Sequence, residues 1–420
     1  MTATDINRTI DAVWRIESAR LIAGLTRIVR DVGQAEDLAQ DALVAALERW
    51  PVTGIPDKPG AWLMATAKHR AIDVLRRGKM LDRKHVEVAH DLEALQEKIP
   101  DLDAAIDDPV GDDLLRLVFI SCHPVLSHEA RVALTLRLLG GLTTDEIARA
   151  FLVPEPTVAQ RIVRAKRTLA DAGVKFEVPR GEELEARLSS VQEVLYLIFN
   201  EGCSATAGDD WVRPALCEDA LRMGRIVAEL VPTEPEVHGL VALMEIQASR
   251  LRARVGSSGE PILLLEQDRG RWDQLLIGRG LAALARAESL SRSHGTYTLQ
   301  AAIAACHARA RTPEETDWAR IAELYRELAR LAPSPIVELN RAVAVGMAFG
   351  PKAGLELVDA LTSEPSLRSY HLLPSVRADL LKKMGRVDEA RAEFERAASL
   401  TRNVRERELL LARAAGSAQD

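Results

Sequence analysis

Apolar residues recur along this chain at intervals of three and four, the spacing that gathers them on one stripe of an α-helix. In residues 31–50, Leu38, Ala42, Ala45 and Ala46 share one side of such a helix, and Asp37, Gln40, Asp41 and Glu48 share another. In residues 61–79, Leu63, Ala67, Ala71 and Val74 line one face while Trp62, Thr66, His69, Asp73 and Arg76 lie opposite. Residues 143–169 predict two short helices around the turn Leu152-Val153-Pro154. Thr143 and Glu146 form a capping box for the first helix, and Pro156 opens the second, where a backbone N–H has no partner to lose. In that second helix Val158, Ile162, Ala165 and Leu169 make the apolar seam. Thr157, Gln160, Arg161, Arg164 and Arg167 stand on the opposite side, with Lys166 between the two faces. Alternating β-branched runs bounded by hairpin turns are missing, so the pattern predicts an all-α chain.

Composition sets the scale of that fold. A chain of 420 residues, 47% hydrophobic and only 4% aromatic, has enough apolar mass for about two to four helical domains. Cys122, Cys203, Cys217 and Cys306 show neither a CxxC nor a close Cys/His pairing, so neither a disulfide framework nor a structural metal is expected. Reduced thiols fit a cytoplasmic protein. No basic-then-apolar leader and no apolar run near the ~18 residues of a membrane span is present, so no membrane partner is expected.

The net charge is −7, but its distribution matters more than its sum. Residues 61–85 carry seven Lys/Arg against two Asp, and residues 156–175 carry five against one. Between them, residues 86–113 hold ten Asp/Glu and one Lys, a local charge of −9. Phosphate responds to the local field, screened beyond about 10 Å at 0.1 M salt, so an acidic total does not exclude DNA. A helix with an apolar seam and outward Arg and Gln side chains suits a major groove. A helical hairpin with a solvated basic face would carry the same pattern.

The stretches "AEDLAQDALVAALERW" and "PGAWLMATAKHRAIDVLRR" together resemble region 2 of sigma-70 factors of the extracytoplasmic-function type, and the hairpin at 143–169 resembles their region 4. The resemblance implies partners: core RNA polymerase, through its β′ and β subunits, and promoter DNA. It implies that Asp37, Gln40 and Asp41 meet the polymerase. Trp62, Lys68, His69, Arg70, Arg76 and Arg77 would read and help melt the minus-10 element. Thr157, Gln160, Arg161, Arg164 and Arg167 would read the minus-35 element. Trp62 fits packing against the preceding helix as well as it fits DNA. On this basis residues 1–85 form region 2, 86–113 an acidic linker and 114–175 region 4.

About 250 residues follow. "LLKKMGRVDEARAEFERAASLTRN" places Gly385, Ala390, Phe394 and Ala397 at spacings close to a tetratricopeptide repeat. "AELYRELARLAPSP" aligns with its second half at an offset of 69, Tyr325 on Phe394 and Leu331 on Leu400, close to twice the ~34-residue repeat. Residues 311–420 therefore predict TPR-like helical repeats, whose groove could hold a peptide, a protein or the factor's own DNA-binding modules, and residues 184–310 a further helical domain. The segments "LYLIFNEGCSATAGDDW", "ALMEIQASRLRAR", "LLLEQDRGRWDQLLIGRGL" and "YHLLPSVRADLLKKMGR" resemble sigma-70 factors with a long C-terminal extension, which implies control of the factor's activity by that extension.

Glu201, Cys203, Asp209, Asp210, Glu266, Asp268 and Asp273 supply carboxylates and a thiol. Yet Cys203 has no nearby His, and the chain has no Gly-rich phosphate loop or metal-ligand spacing. No catalytic residue, metal or cofactor is expected, and these acids fit caps and ion pairs, such as Asp268 with Arg271. A ligand-responsive helix-turn-helix regulator with a TPR-like sensor would share the hairpin, but has no need of the region 2 motifs. An interaction scaffold with an incidental hairpin has no need of the second basic patch.

Overall fold

The computed structural model describes residues 3–83, 110–151, 153–203, 212–256 and 259–416. Eighteen α-helices lie among these residues, and no strand; one isolated bridge pairs Val255 with Pro261. The all-α expectation holds. No described helix is long and apolar enough to cross a membrane. The chain divides into two compact units, 1–194 and 195–420.

The first unit begins with three helices, α1 (Ala3–Val29), α2 (Val32–Thr53) and α3 (Pro59–Arg83), each packed on the other two. Asp31 starts α2 by accepting from Gln34 N at 2.7 Å, the side-chain cap that a helix start requires. Leu38, Ala42, Ala45 and Ala46 of α2 and Leu63, Ala67 and Ala71 of α3 are buried, as their spacing predicts. The small residues let the backbones of α1, α2 and α3 come close. Trp50, 1% exposed, fills the far end.

Four shorter helices follow: α4 (Val110–Ser121), α5 (His128–Leu138), α6 (Thr144–Phe151) and α7 (Glu155–Asp171). Helix α4 begins at Val110, so the last four positions of the acidic stretch 86–113 are helical. Asp113 there is buried and pairs with Arg116 at 2.5 Å and with Arg27 of α1 at 3.4 Å. The rest of that stretch lies outside the described residues. The capping box forms as expected: Thr143 N donates to Glu146 Oε2 at 2.8 Å and Glu146 N to Thr143 Oγ1 at 3.2 Å. Helix α8 (Glu182–Cys203) contributes its first part to this unit. Arg131 of α5 donates there to Ser190 Oγ at 2.5 Å and Glu193 Oε2 at 3.2 Å.

The second unit contains the end of α8, then α9 (Pro214–Leu230), α10 (Pro235–Ala248), α11 (Gln274–Leu290) and α12 (Thr296–Arg309). Helix α10 is apolar on nearly every side and is covered by α9, α11 and α12. Gly239 makes the α12 contact possible, because a Cβ there would lie 2.7 Å from Thr298 N. Glu236 of α10 caps α12 from outside, accepting from Tyr297 N at 2.7 Å and Thr298 N at 3.1 Å.

Six helices complete the chain: α13 (Trp318–Leu331), α14 (Pro335–Phe349), α15 (Pro351–Leu361), α16 (Leu372–Lys383), α17 (Val387–Leu400) and α18 (Val404–Gly416). Each packs on the next. Helices α13 and α17 start and end 69 residues apart, the offset read from the sequence. Phe394 is fully buried among Ala378, Ala397, Ala398, Leu410 and Ala414, and Tyr325 packs on the cluster of Leu324 and Leu328. The match weakens at the helix end, where Leu331 is 52% exposed.

The acids of 184–310 serve local structure. Asp273 caps α11, accepting from Leu275 N and Leu276 N. The expected Asp268–Arg271 ion pair does not form: Asp268 accepts from Gly270 N at 2.9 Å, while Arg271 reaches Arg252 O at 2.5 Å. The three-residue spacing sits on a tight turn, where the nearest backbone N–H claims the carboxylate first. Asp209 and Asp210 lie outside the described residues.

Candidate nucleic-acid interface

Helix α7 is built as a groove reader would be. Val158, Ile162, Ala165 and Leu169 are buried against α5 and α6. Gln160, Arg164 and Arg167 are exposed, and Thr157 and Arg161 are half-buried beside them. No described acid pairs with Arg164, whereas Arg167 has Asp171 at 3.5 Å on its own helix, a surface pair worth at most about 1 kcal/mol. The guanidinium row is thus held on a rigid element and left to solvent.

Lys166 is different. It points to α2, where Nζ lies 2.5 Å from Glu36 Oε2 as an ion pair without hydrogen-bond alignment. Glu36 is buried and also accepts from Arg137 Nε of α5 and Gln40 Nε2, both at 2.5 Å. One carboxylate therefore clasps α2, α5 and α7 together. Arg15 of α1 adds an exposed pair to Glu146 of α6 at 2.8 Å. The periodicity of α2 hid Glu36, since it sits beside Asp37 in a polar run; its burial was decided by α5 and α7.

On α2, Asp37 and Asp41 are exposed and Gln40 is half-buried through its bond to Glu36. On α3, Trp62 is half-buried and meets Trp50 edge-on, ring centroids 5.4 Å apart, so packing is one of its roles. Arg70 pairs with Asp41 at 3.2 Å, which joins a residue expected at DNA to one expected at the polymerase. His69 is exposed, with Nδ1 2.7 Å from Ala65 O, so Nδ1 carries the proton and donates. Lys68 is half-buried and Arg76 exposed. Arg77 is in α3, but its side chain lies outside the described residues.

Helices α1–α3 and α4–α7 coincide with two known family models. Sigma-70 region 2 matches residues 16–80, and sigma-70, region 4, matches residues 116–169. The ECF RNA polymerase sigma factor SigL of Mycobacterium tuberculosis is 31% identical over 35% of this chain and 81% of its own length. The chain belongs to the ECF type of sigma-70 factors. The probable ECF RNA polymerase sigma factor SigI of the same organism is 29% identical over 46% of this chain and 63% of its own. Beyond region 4 this sigma factor carries a C-terminal extension, and a family of unknown function (DUF6596) matches residues 187–288. An uncharacterized protein of Rhizobium meliloti is 43% identical over 92% of this chain and 90% of its own length, so it shares the extension.

Proposed function

We propose that this sigma factor binds core RNA polymerase in the cytoplasm, directs it to a specific promoter set and helps open the DNA, with its activity modulated by the C-terminal extension and without catalysis of its own. Asp37, Gln40 and Asp41 of α2 meet the β′ subunit. Trp62, Lys68, His69, Arg70, Arg76 and Arg77 of α3 read the minus-10 element, where strand opening calls for stacking surfaces and cations. Thr157, Gln160, Arg161, Arg164 and Arg167 of α7 enter the major groove at minus-35. The exposed guanidinium row on α7, opposite a fully buried apolar seam, carries this reading.

The Glu36 clasp adds a requirement. Helix α3 packs on α2, and α7 is tied to α2 by the Lys166–Glu36 pair, so α3 and α7 stand on the order of 20 Å from each other. Two promoter elements about 25 base pairs apart are separated by roughly 85 Å at 3.4 Å per pair. Simultaneous reading therefore needs α7 released from α2. Polymerase supplies the second anchor that holds the released modules apart.

In vitro transcription with purified core polymerase tests the proposal. The full chain initiates at a cognate promoter, and Arg161→Ala/Arg164→Ala loses initiation at promoters that depend on minus-35 while keeping its affinity for core. Absence of core-dependent initiation by the full chain across a genomic promoter library would refute it. Tight, specific binding of the free chain to a palindrome would favour a stand-alone regulator.

A further inference from the structure

The last turn of α8 meets the first turn of α9 within the second unit. Cys203 ends α8 and Cys217 lies in the opening of α9, and their sulfurs are 3.2 Å apart. Gly202 allows this approach: a Cβ there would come within 2.7 Å of both Cys217 N and Cys217 Sγ. Arg213 N donates to Gly202 O at 2.7 Å, and the Arg213 guanidinium pairs with Glu201, which fixes the two helix ends on each other. Both thiols are buried, but Cys203 lines a cavity of about 350 Å³ whose polar wall includes Tyr196, Asn200, Glu201, Gln247 and Arg254. Among the described residues neither Cys122 nor Cys306 has a thiol neighbour: the sulfur of Cys122 meets the Thr135 and Ser121 hydroxyls.

We propose that Cys203 and Cys217 form an oxidisable dithiol, a modification site for small hydroperoxides that enter through this cavity, with Cys203 attacking and Cys217 resolving. The thiolate of Cys203 attacks one peroxide oxygen. An S–O bond forms, the O–O bond breaks, and the departing hydroxide takes a proton to leave as water. Cys217 then attacks the sulfenic sulfur. The S–S bond forms, the S–O bond breaks, and the proton of Cys217 leaves with the hydroxyl as a second water. Two thiols are oxidised by two electrons in total, and one hydrogen peroxide is reduced to two waters. The sulfurs need to close only about 1 Å to reach the ~2.05 Å of a disulfide.

The electrostatics assign the two roles. Burial raises the Cys203 thiol, but the hydrogen bond with Cys217 and the charges of Arg254 and Arg250 outweigh it and bring the group below its ordinary value. Cys217 is raised by its bond to Cys203 and by burial, so it keeps the proton. A thiolate beside guanidinium groups is the nucleophile, and its protonated neighbour is the resolving partner.

The test uses the full chain, reduced and then exposed to hydrogen peroxide, alkylated with iodoacetamide and digested with trypsin. Arg213 precedes Pro214, so trypsin keeps both cysteines in one peptide, 188–222. That peptide is expected to escape alkylation and to weigh two hydrogens less, dithiothreitol restoring both thiols, while Cys122 and Cys306 are alkylated as before. Cys217→Ser stops at a sulfenic acid on Cys203 that dimedone traps. Arg254→Met slows oxidation, because it removes a cation that favours the Cys203 thiolate. Full alkylation of Cys203 and Cys217 after peroxide treatment of the folded wild-type chain overturns the proposal. So does loss of the Cys217 thiol in Cys203→Ser at the wild-type rate.

Discussion

Lys166→Met probes the clasp between α2 and α7 without touching the outward arginines. In the wild-type protein Lys166 and Glu36 are 19% and 3% exposed at the side chain. Removing one partner of a buried pair costs about 3–5 kcal/mol when the remaining charge is stranded. Glu36 is not stranded here, because Arg137 and Gln40 still donate to it at 2.5 Å, and the methionine stem keeps the apolar packing. The expected loss is therefore smaller, about 2 kcal/mol, roughly a 30-fold shift in the equilibrium that parts α7 from α2. Hydrogen exchange of the full chain reads this directly: amides of α7 and of α2 around Glu36 exchange about 30-fold faster, while those of α12–α18 do not change. Glu36→Gln, which leaves two cations facing a neutral amide, gives a larger effect in the same peptides. If core polymerase captures the parted form, Lys166→Met also tightens core binding, by no more than that factor. Unchanged exchange in α7 for both variants would refute the clasp, and weaker core binding by Lys166→Met would refute the requirement for opening.

Three further outcomes follow from the second unit. His307 is held down to about 4 by burial and by the charges of Arg250 and Arg269; its folded value is depressed, so its contribution is whole above pH ~6.5 and is lost as pH falls toward 4. That contribution is at most about 3 kcal/mol, and His307→Gln should flatten the fall in thermal midpoint over this window. Arg269 donates to His307 O at 2.8 Å, Ala310 O at 2.6 Å and Thr316 Oγ1 at 3.0 Å. Arg269→Met leaves two carbonyls unpaired and should cost about 2 kcal/mol by urea unfolding. Phe394→Ala empties the fully buried site among α16–α18 and should cost about 3–5 kcal/mol, seen as faster exchange confined to those helices.

Much of the fold was legible because helical periodicity is a local property. The faces of α2, α3 and α7 could be read from spacing alone, since each apolar stripe fits only one way of burying it. The capping box at Thr143 and Glu146 and the 69-residue offset between α13 and α17 are likewise local or repeated patterns. The Asp268–Arg271 pair failed for the opposite reason: opposite charges at a helical spacing were placed on a turn, where backbone N–H groups compete for the carboxylate.

The chain's own residue order determined the helices, their buried faces and the outward arginine row of α7, together with the two motifs that place it among ECF sigma factors. Tertiary structure alone decided which polar residues would lose water. Glu36 reads like its exposed neighbour Asp37 until α5 and α7 close over it with Arg137 and Lys166. Cys203 and Cys217 read as scattered thiols until Gly202 lets two helix ends meet. Burial of a charge or a thiol depends on what distant segments bring to it, and no short window of sequence contains those segments.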